Sequence, residues 1–269
     1  MIGSIAGDII GSRFEFRKSA KFKFKLFTDE SRYTDDTVLT VALTDSILND
    51  KNWPETIREY YHKYPDRGYG GGFKKWIKSN SSEGYGSYGN GSAMRVSPIG
   101  WACSTLSETL DLAEASAVAT HNHEEGIKGA QAIAGCIYLA RKGYSKNEIR
   151  RFARIFYRIP NNMKIARRIN KYNIQDKKEC SCQKTVPLAV RAFLSSRDFI
   201  SSIRLAVMLG GDTDTIAAMT GGIAEAYYGV SNINIPLRNQ IYKIVDKDLI
   251  DILYKFYNKL KKEIPHEIR

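Results

Sequence analysis

At 269 residues with 43% hydrophobic side chains, the chain has apolar material for a substantial core, as one large domain or two small ones. Lys and Arg outnumber Asp and Glu by 41 to 29, a net charge of +12 with an isoelectric point near 9.4, which favours an anionic substrate or partner. A membrane span, a secretory signal and a zinc site all lack support: no charge-free apolar run reaches bilayer length, Asp8 interrupts an opening without basic residues, and Cys103, Cys136, Cys180 and Cys182 include no Cys-x-x-Cys pair.

In chain order, the Gly-rich opening leads to Lys21-Phe22-Lys23-Phe24-Lys25-Leu26. Its alternation of charge and apolar side chain has strand period, but it is short and isolated, an extended loop or one edge ribbon. From Thr37 the period is helical. A helix is predicted over 53–64, with Pro54 inside its first turn, and others over 106–120 and 124–141, the latter ended by Gly143. The capping box Ser145-Lys146-Asn147-Glu148 precedes a helix over 149–158. Further helices are predicted over 185–195, 199–209, 216–228 and 237–245, and a last one presents Ile250, Leu253, Tyr254 and Tyr257 as one apolar stripe. About ten helices with hardly any strand signal predict an all-α fold.

Residues 217–226 are rich in Ala and Gly, which permits close helix approach and places this helix at the centre of the fold. Cys103 and Cys136 sit in apolar surroundings and read as small core residues. No internal repeat or low-complexity linker divides the chain, so a single domain over 1–269 is expected, with the polar interval 170–184 as a loop. The basic residues Arg150, Arg151, Arg154, Arg158, Lys164, Arg167, Arg168 and Lys171 read as a solvated helix face, with a nucleic-acid surface as the alternative.

Two acidic packets organise the rest. Tyr33-Thr34-Asp35-Asp36-Thr37 and Gly210-Gly211-Asp212-Thr213-Asp214-Thr215 each stand where a helix begins. One side-chain oxygen suffices for a helix cap. Asp35 beside Asp36, and Asp212 two residues before Asp214, exceed that need and crowd like charges, which raises a pKa or demands a cation. Carboxylates and threonine hydroxyls without histidine or thiolate suit a hard divalent cation, Mg²⁺ or Mn²⁺.

Between the packets lies a glycine and tyrosine region, Gly68-Tyr69-Gly70-Gly71-Gly72 and then Gly84-Tyr85-Gly86-Ser87-Tyr88-Gly89-Asn90-Gly91. The second stretch matches G-x-G-x-x-G formally, but Ser79-Asn80-Ser81-Ser82 precedes it where a dinucleotide fold needs a strand. Glycines that admit phosphate oxygens and tyrosines that offer flat faces still suit a ligand. His121 and His123 mark the junction of two predicted helices, with His121 expected to touch a ligand rather than a metal.

Five segments then resemble the ADP-ribosylglycohydrolase family, which includes the dinitrogenase-reductase-activating glycohydrolase and the ADP-ribosylarginine and ADP-ribosylserine hydrolases. They are Gly7-Asp8 with Glu15, Thr34-Asp35-Asp36-Thr37, Gly89-Asn90-Gly91-Ser92-Ala93-Met94-Arg95, Thr120-His121, and the second packet. The likeness runs from the N-terminus to about Tyr228, with Ile216 where the family usually has Asn and Ile9-Ile10 where it has Ala-Leu. It implies an orthogonal all-α bundle with two divalent cations, Mg²⁺ or Mn²⁺, in a cleft. Thr34, Asp35, Asp36, Asp212, Asp214 and Thr215 would ligate them, and Glu15, Asp35 and Asp36 would carry the catalysis. Gly86, Ser87, Tyr88, Gly89, Asn90, Gly91, Ser92 and His121 would hold ADP-ribose. An ADP-ribosylated protein or an ADP-ribose-containing small molecule is the expected partner, for a monomer in the cytoplasm with arginine the first acceptor and serine the next.

Two rivals remain on the sequence. Asp212-Thr213-Asp214-Thr215 contains the Asp-x-Asp-x-Thr of haloacid-dehalogenase phosphatases, with 203–209 as the strand such a fold requires, although too little chain follows Asp212 to complete it. A pocket that binds ADP-ribose, or a basic face that binds nucleic acid, without chemistry is the other.

Overall fold

The computed structural model describes residues 1–17, 21–159, 179–229 and 233–263. Among them the regular structure is fourteen α-helices and one 3₁₀ turn, with no strand. The first half holds α1 (Ile2–Gly11), the 3₁₀ turn (Ser12–Phe14), α2 (Asp35–Asn49), α3 (Trp53–Lys63), α4 (Gly71–Ser79), α5 (Gly91–Met94), α6 (Ser97–Ala102) and α7 (Leu106–Val118). The second holds α8 (Glu124–Arg141), α9 (Lys146–Phe156), α10 (Cys182–Ser195), α11 (Phe199–Met208), α12 (Thr213–Tyr228), α13 (Ile235–Ile244) and α14 (Lys247–Glu263). No helix among the described residues is long and apolar enough to cross a membrane.

α12 is the axis of the bundle. Every residue from Thr213 to Ala226 is buried, and α1, α8, α10 and α11 pack around it. α1 is buried along its whole length and lies closest. Gly3, Gly7 and Gly11 recur every fourth residue, so they form one face of α1, and that face touches α12 backbone to backbone. A Cβ on Gly7 would sit 2.0 Å from the Ala217 carbonyl oxygen, one on Gly11 2.5 Å from the Thr213 carbonyl oxygen, and one on Gly3 2.4 Å from that of Gly221. The Met1 ammonium donates to Glu225 Oε2 at 2.6 Å and to the Tyr257 hydroxyl at 2.7 Å, which ties α1 to both α12 and α14.

The capping signals form as expected. Ser145 and Glu148 exchange bonds at the start of α9, and Pro54 occupies the first turn of α3. On α9, Ile149, Phe152 and Ala153 are buried while Arg151 and Arg154, with Arg158 just past its end, point outward, a solvated basic face. Lys164, Arg167, Arg168 and Lys171, with most of the 170–184 interval, lie outside the described residues.

One expectation needs correction, and some helices lie where none was predicted. The Gly-rich opening is the helix α1: glycine's poor helix propensity is overridden by the contact it permits. Another helix, α4, begins at Gly71 in the first glycine stretch, where none was predicted, and buries Phe73, Trp76 and Ile77. On α14 the buried stripe is Leu249, Ile250, Leu253, Phe256 and Leu260, and Tyr254 is half exposed. The 21–26 segment takes the loop alternative: Arg204 Nη1 donates to the carbonyl oxygens of Phe22 and Phe24, each at 2.8 Å, in place of a partner strand.

Gly7→Ala should lower the free energy of unfolding by about 3 kcal/mol or more, because a backbone carbonyl cannot rotate away as a side chain can. Gly70→Ala, where a Cβ would meet nothing within 4 Å, should change it by less than about 1 kcal/mol. Urea denaturation of both variants measures this, and equal losses would remove the close-approach argument.

Candidate active site

Where α1 ends, α12 and α2 begin, so three chain ends converge on one cavity of about 480 Å³. Gly210 and Gly211 have φ of 72° and 75°, conformations that L side chains rarely adopt. Their turn lets the Gly211 carbonyl accept from Phe16 N at 2.8 Å, which seats Glu15 over the second packet. A carboxylate oxygen from each of Glu15, Asp212 and Asp214 lies within 4.8 Å of the others, and so do those of Asp8, Asp36 and Asp214.

Asp8, on an otherwise apolar helix, is fully buried and holds the α2 N-terminus. Its Oδ2 accepts from the backbone N–H groups of Thr34 at 2.9 Å and Thr37 at 3.2 Å, and both threonine hydroxyls donate to its carboxylate. Thr34 in turn caps α2. The cap and the acidic cluster are thus the same residues. The sequence reading assigned Asp8 no role; its signal was a lone acid between Ile5 and Ile9.

Asp36 accepts through Oδ2 from the Thr215 hydroxyl at 3.2 Å, with Thr34 Oγ1, whose proton goes to Asp8, 3.3 Å away, while its Oδ1 is buried with no partner. A buried carboxylate oxygen left without a donor costs free energy unless a proton or cation reaches it. Burial first, then Asp8, pushes the carboxyls of Asp35 and Asp36 well above the usual carboxylate range, and burial with Asp212 does the same to Asp214. Glu15 is pushed up to about 6 by burial and by Asp212, with Arg32 pulling the other way. An all-oxygen donor set, crowded and with one lone pair unclaimed, fits a hard divalent cation.

The opposite wall comes from the glycine and tyrosine region. Asn90 Nδ2 donates to Asp212 Oδ2 at 2.7 Å, so this wall is coupled to the acids. A strap at 180–182 pins it: Asn90 N donates to the Cys180 carbonyl at 2.7 Å, Cys182 N donates to the Tyr88 carbonyl at 3.0 Å, and Gly89 and Ser181 form an antiparallel bridge. Ser87, Gly89, Asn90, Gly91 and His121 line the cavity with Glu15, Asp35, Asp36, Asp212, Asp214 and Thr215. Gly86, Tyr88, Ser92 and Thr34 are not in its lining. Gly86 N is taken by Asn122 Oδ1 at 2.6 Å, Ser92 Oγ donates to the Gly126 carbonyl, and Tyr88 packs on His123. The cavity also uses Tyr85 of the glycine and tyrosine region, and Phe73, Arg95 and Cys180, which sequence reasoning did not single out as site residues. For Cys180 the signal was the close pair with Cys182, legible only as "not zinc". The strand required for a phosphatase at 203–209 is not there, since α11 occupies 199–208.

Set beside known proteins, residues 1–265 match the model of the ADP-ribosylglycohydrolase family. ADP-ribosylhydrolase ARH3 of Mus musculus is 28% identical over 309 residues, covering 87% of this chain and 84% of that protein. An uncharacterised protein of Archaeoglobus fulgidus is 30% identical over 72% of this chain and 71% of its own length, and an ADP-ribosylarginine hydrolase of Pseudomonas putida is 26% identical over 87% and 70%. A solved structure described as an ADP-ribosylglycohydrolase-related protein complex matches with a TM-score of 0.72 over 96% of this chain and 95% of that one, at 23% identity, a likeness of fold.

A carboxyl whose folded pKa is raised costs nothing below its unfolded value, about 3.9 for Asp; the cost grows as pH rises towards the folded value. In a chelating buffer at pH 7 to 8, Asp36→Asn should therefore stabilise the protein by about 1–2 kcal/mol. The gain should vanish near pH 4. Urea titrations at the two pH values test this, and a destabilised variant at pH 8 would contradict the assigned crowding.

Proposed function

The chain belongs to the ADP-ribosylglycohydrolase family, and from that premise we propose that it hydrolyses the glycosidic bond between the ribose of ADP-ribose and a modified protein side chain. It is an enzyme of that family; the acceptor and the cofactor are the proposal. The observation that carries it is the convergence of Glu15, Asp35, Asp36, Asp212 and Asp214 in one cavity, opposite a glycine wall.

Thr34, Asp35, Asp36, Asp212, Asp214 and Thr215 would hold two divalent cations, Mg²⁺ or Mn²⁺. Such ions, when bound, neutralise the acids, grip ribose hydroxyls and lower the pKa of water. A diphosphate supports the same reading: five acids in one cavity repel an anion unless positive charge stands among them. The glycine wall at Gly89 and Gly91 admits phosphate oxygens where a side chain would obstruct them, and Tyr85 and Phe73 offer faces to a ring.

Cleavage builds oxocarbenium character on the ribose, so the site must orient the sugar and supply water on the correct face. Glu15, with a carboxyl near 6, is suited to take a proton from the attacking water and to release it at neutral pH. Asn90 holds Asp212 in place through its amide. Arginine is our first choice of acceptor. An arginine-linked substrate is named in the Pseudomonas putida relative; serine comes next. Four free cysteines suit the reducing cytoplasm, where we place the protein.

Release of ADP-ribose from arginine-linked and serine-linked peptides, measured with Mg²⁺, with Mn²⁺ and with excess chelator, tests each part. Chelation should abolish turnover and either metal restore it, and arginine-linked peptide should be cleaved faster. Full activity in chelator would end the metal assignment, and serine preference the acceptor assignment. Asp212→Asn should reduce kcat by about a hundredfold or more while the fold, read by circular dichroism, is kept.

A further inference from the structure

Arg95, Thr120 and His121 form a buried line that ends at the cavity wall. Arg95 is fully buried after α5; its Nη2 donates to the Ser116 carbonyl at 2.9 Å and to Thr120 Oγ1 at 2.8 Å. Its Nε and Nη1 have no partner, and among the described residues no carboxylate pairs with it. Thr120 Oγ1 lies 2.6 Å from His121 Nδ1, and the far side of the ring faces the glycines: a Cβ on Gly91 would stand 3.0 Å from Nε2.

The geometry points to a relay in which Arg95 and Thr120 are positioning residues that lock His121 in the Nε2–H tautomer, presenting a hydrogen-bond donor to an oxygen of the ligand. A guanidinium only donates, so Thr120 Oγ1 must accept from Arg95. The threonine still has its own proton to place. Among the described residues the acceptor within reach is His121 Nδ1. Nδ1 is then a lone pair and the ring proton sits on Nε2. An imidazolium would donate from both nitrogens, strand the threonine proton and place a second positive charge beside an unpaired guanidinium. Burial and Arg95 accordingly hold the His121 pKa well below its ordinary value. Gly91 and Gly89 leave Nε2 uncovered.

His121 is therefore a fixed donor and not a proton shuttle. The oxygen it meets, on phosphate or ribose, rests on the ADP-ribose reading; the tautomer does not.

The test is ¹⁵N NMR of histidine-labelled protein, with His121 assigned by the signal lost in His121→Gln. The expected spectrum at pH 7 is neutral Nε2–H, unchanged from pH 5 to 8; a proton on Nδ1, or an imidazolium at pH 7, overturns the relay from the wild type alone. Thr120→Val should lose the tautomer preference and weaken ADP-ribose binding about tenfold by calorimetry, as for one lost hydrogen bond, and Thr120→Ser should restore both. Wild-type affinity in a folded Thr120→Val protein would overturn the positioning role. If the wild type fails to bind ADP-ribose, the functional proposal falls while the spectrum still decides the relay.

Discussion

The structure depends on the backbone contact between α1 and α12. Three glycines at a four-residue spacing remove the side chains that would hold the helices apart, so the carbonyls of Thr213, Ala217 and Gly221 lie against bare Cα atoms. That approach brings Asp8 on one helix within reach of Asp214 on the other. With ordinary side chains at these positions the helices would stand apart and the acids would be dispersed. The packing of two helices thus sets the spacing of the chemistry.

The second consequence is electrostatic strain held in the core. Asp36 has a buried oxygen with no donor, and Asp35, Asp36 and Asp214 are all displaced upward in pKa, by burial first and then by a neighbouring acid, Asp8 for the first two and Asp212 for the third. A protein selected for stability alone would not crowd acids this way, and a site built to bind cations would. Asp8 belongs to the same cluster but does different work: its oxygens are taken up by Thr34 and Thr37 and hold the α2 terminus in place.

The facing wall has its own scaffold. The strap at 180–182 bonds to Tyr88, Gly89 and Asn90, and Asn90 reaches across to Asp212, so the glycine wall and the acidic wall are one hydrogen-bonded unit. Within that wall, Arg95 braces Thr120 and, through it, His121. Membership of the ADP-ribosylglycohydrolase family accords with a cavity that has acids on one side and backbone with aromatic faces on the other.

The sequence by itself determined the helical class, the capping box at Ser145, the central place of residues 217–226 and the two acidic packets, because periodicity, caps and like-charge crowding are local properties. It also disclosed Glu15 and His121, through the company of five separated segments. Only the tertiary structure decided that Gly3, Gly7 and Gly11 lie on a helix, that Asp8 anchors Thr34 and Thr37, that Cys180 and Arg95 reach the cavity, and that Ser92 and Tyr88 do not line it. The reason is physical: a residue's partner across the fold sets its burial, its hydrogen bonds and its pKa, and no spacing along the chain encodes which helix will come to lie 2 Å from where a missing Cβ would have been.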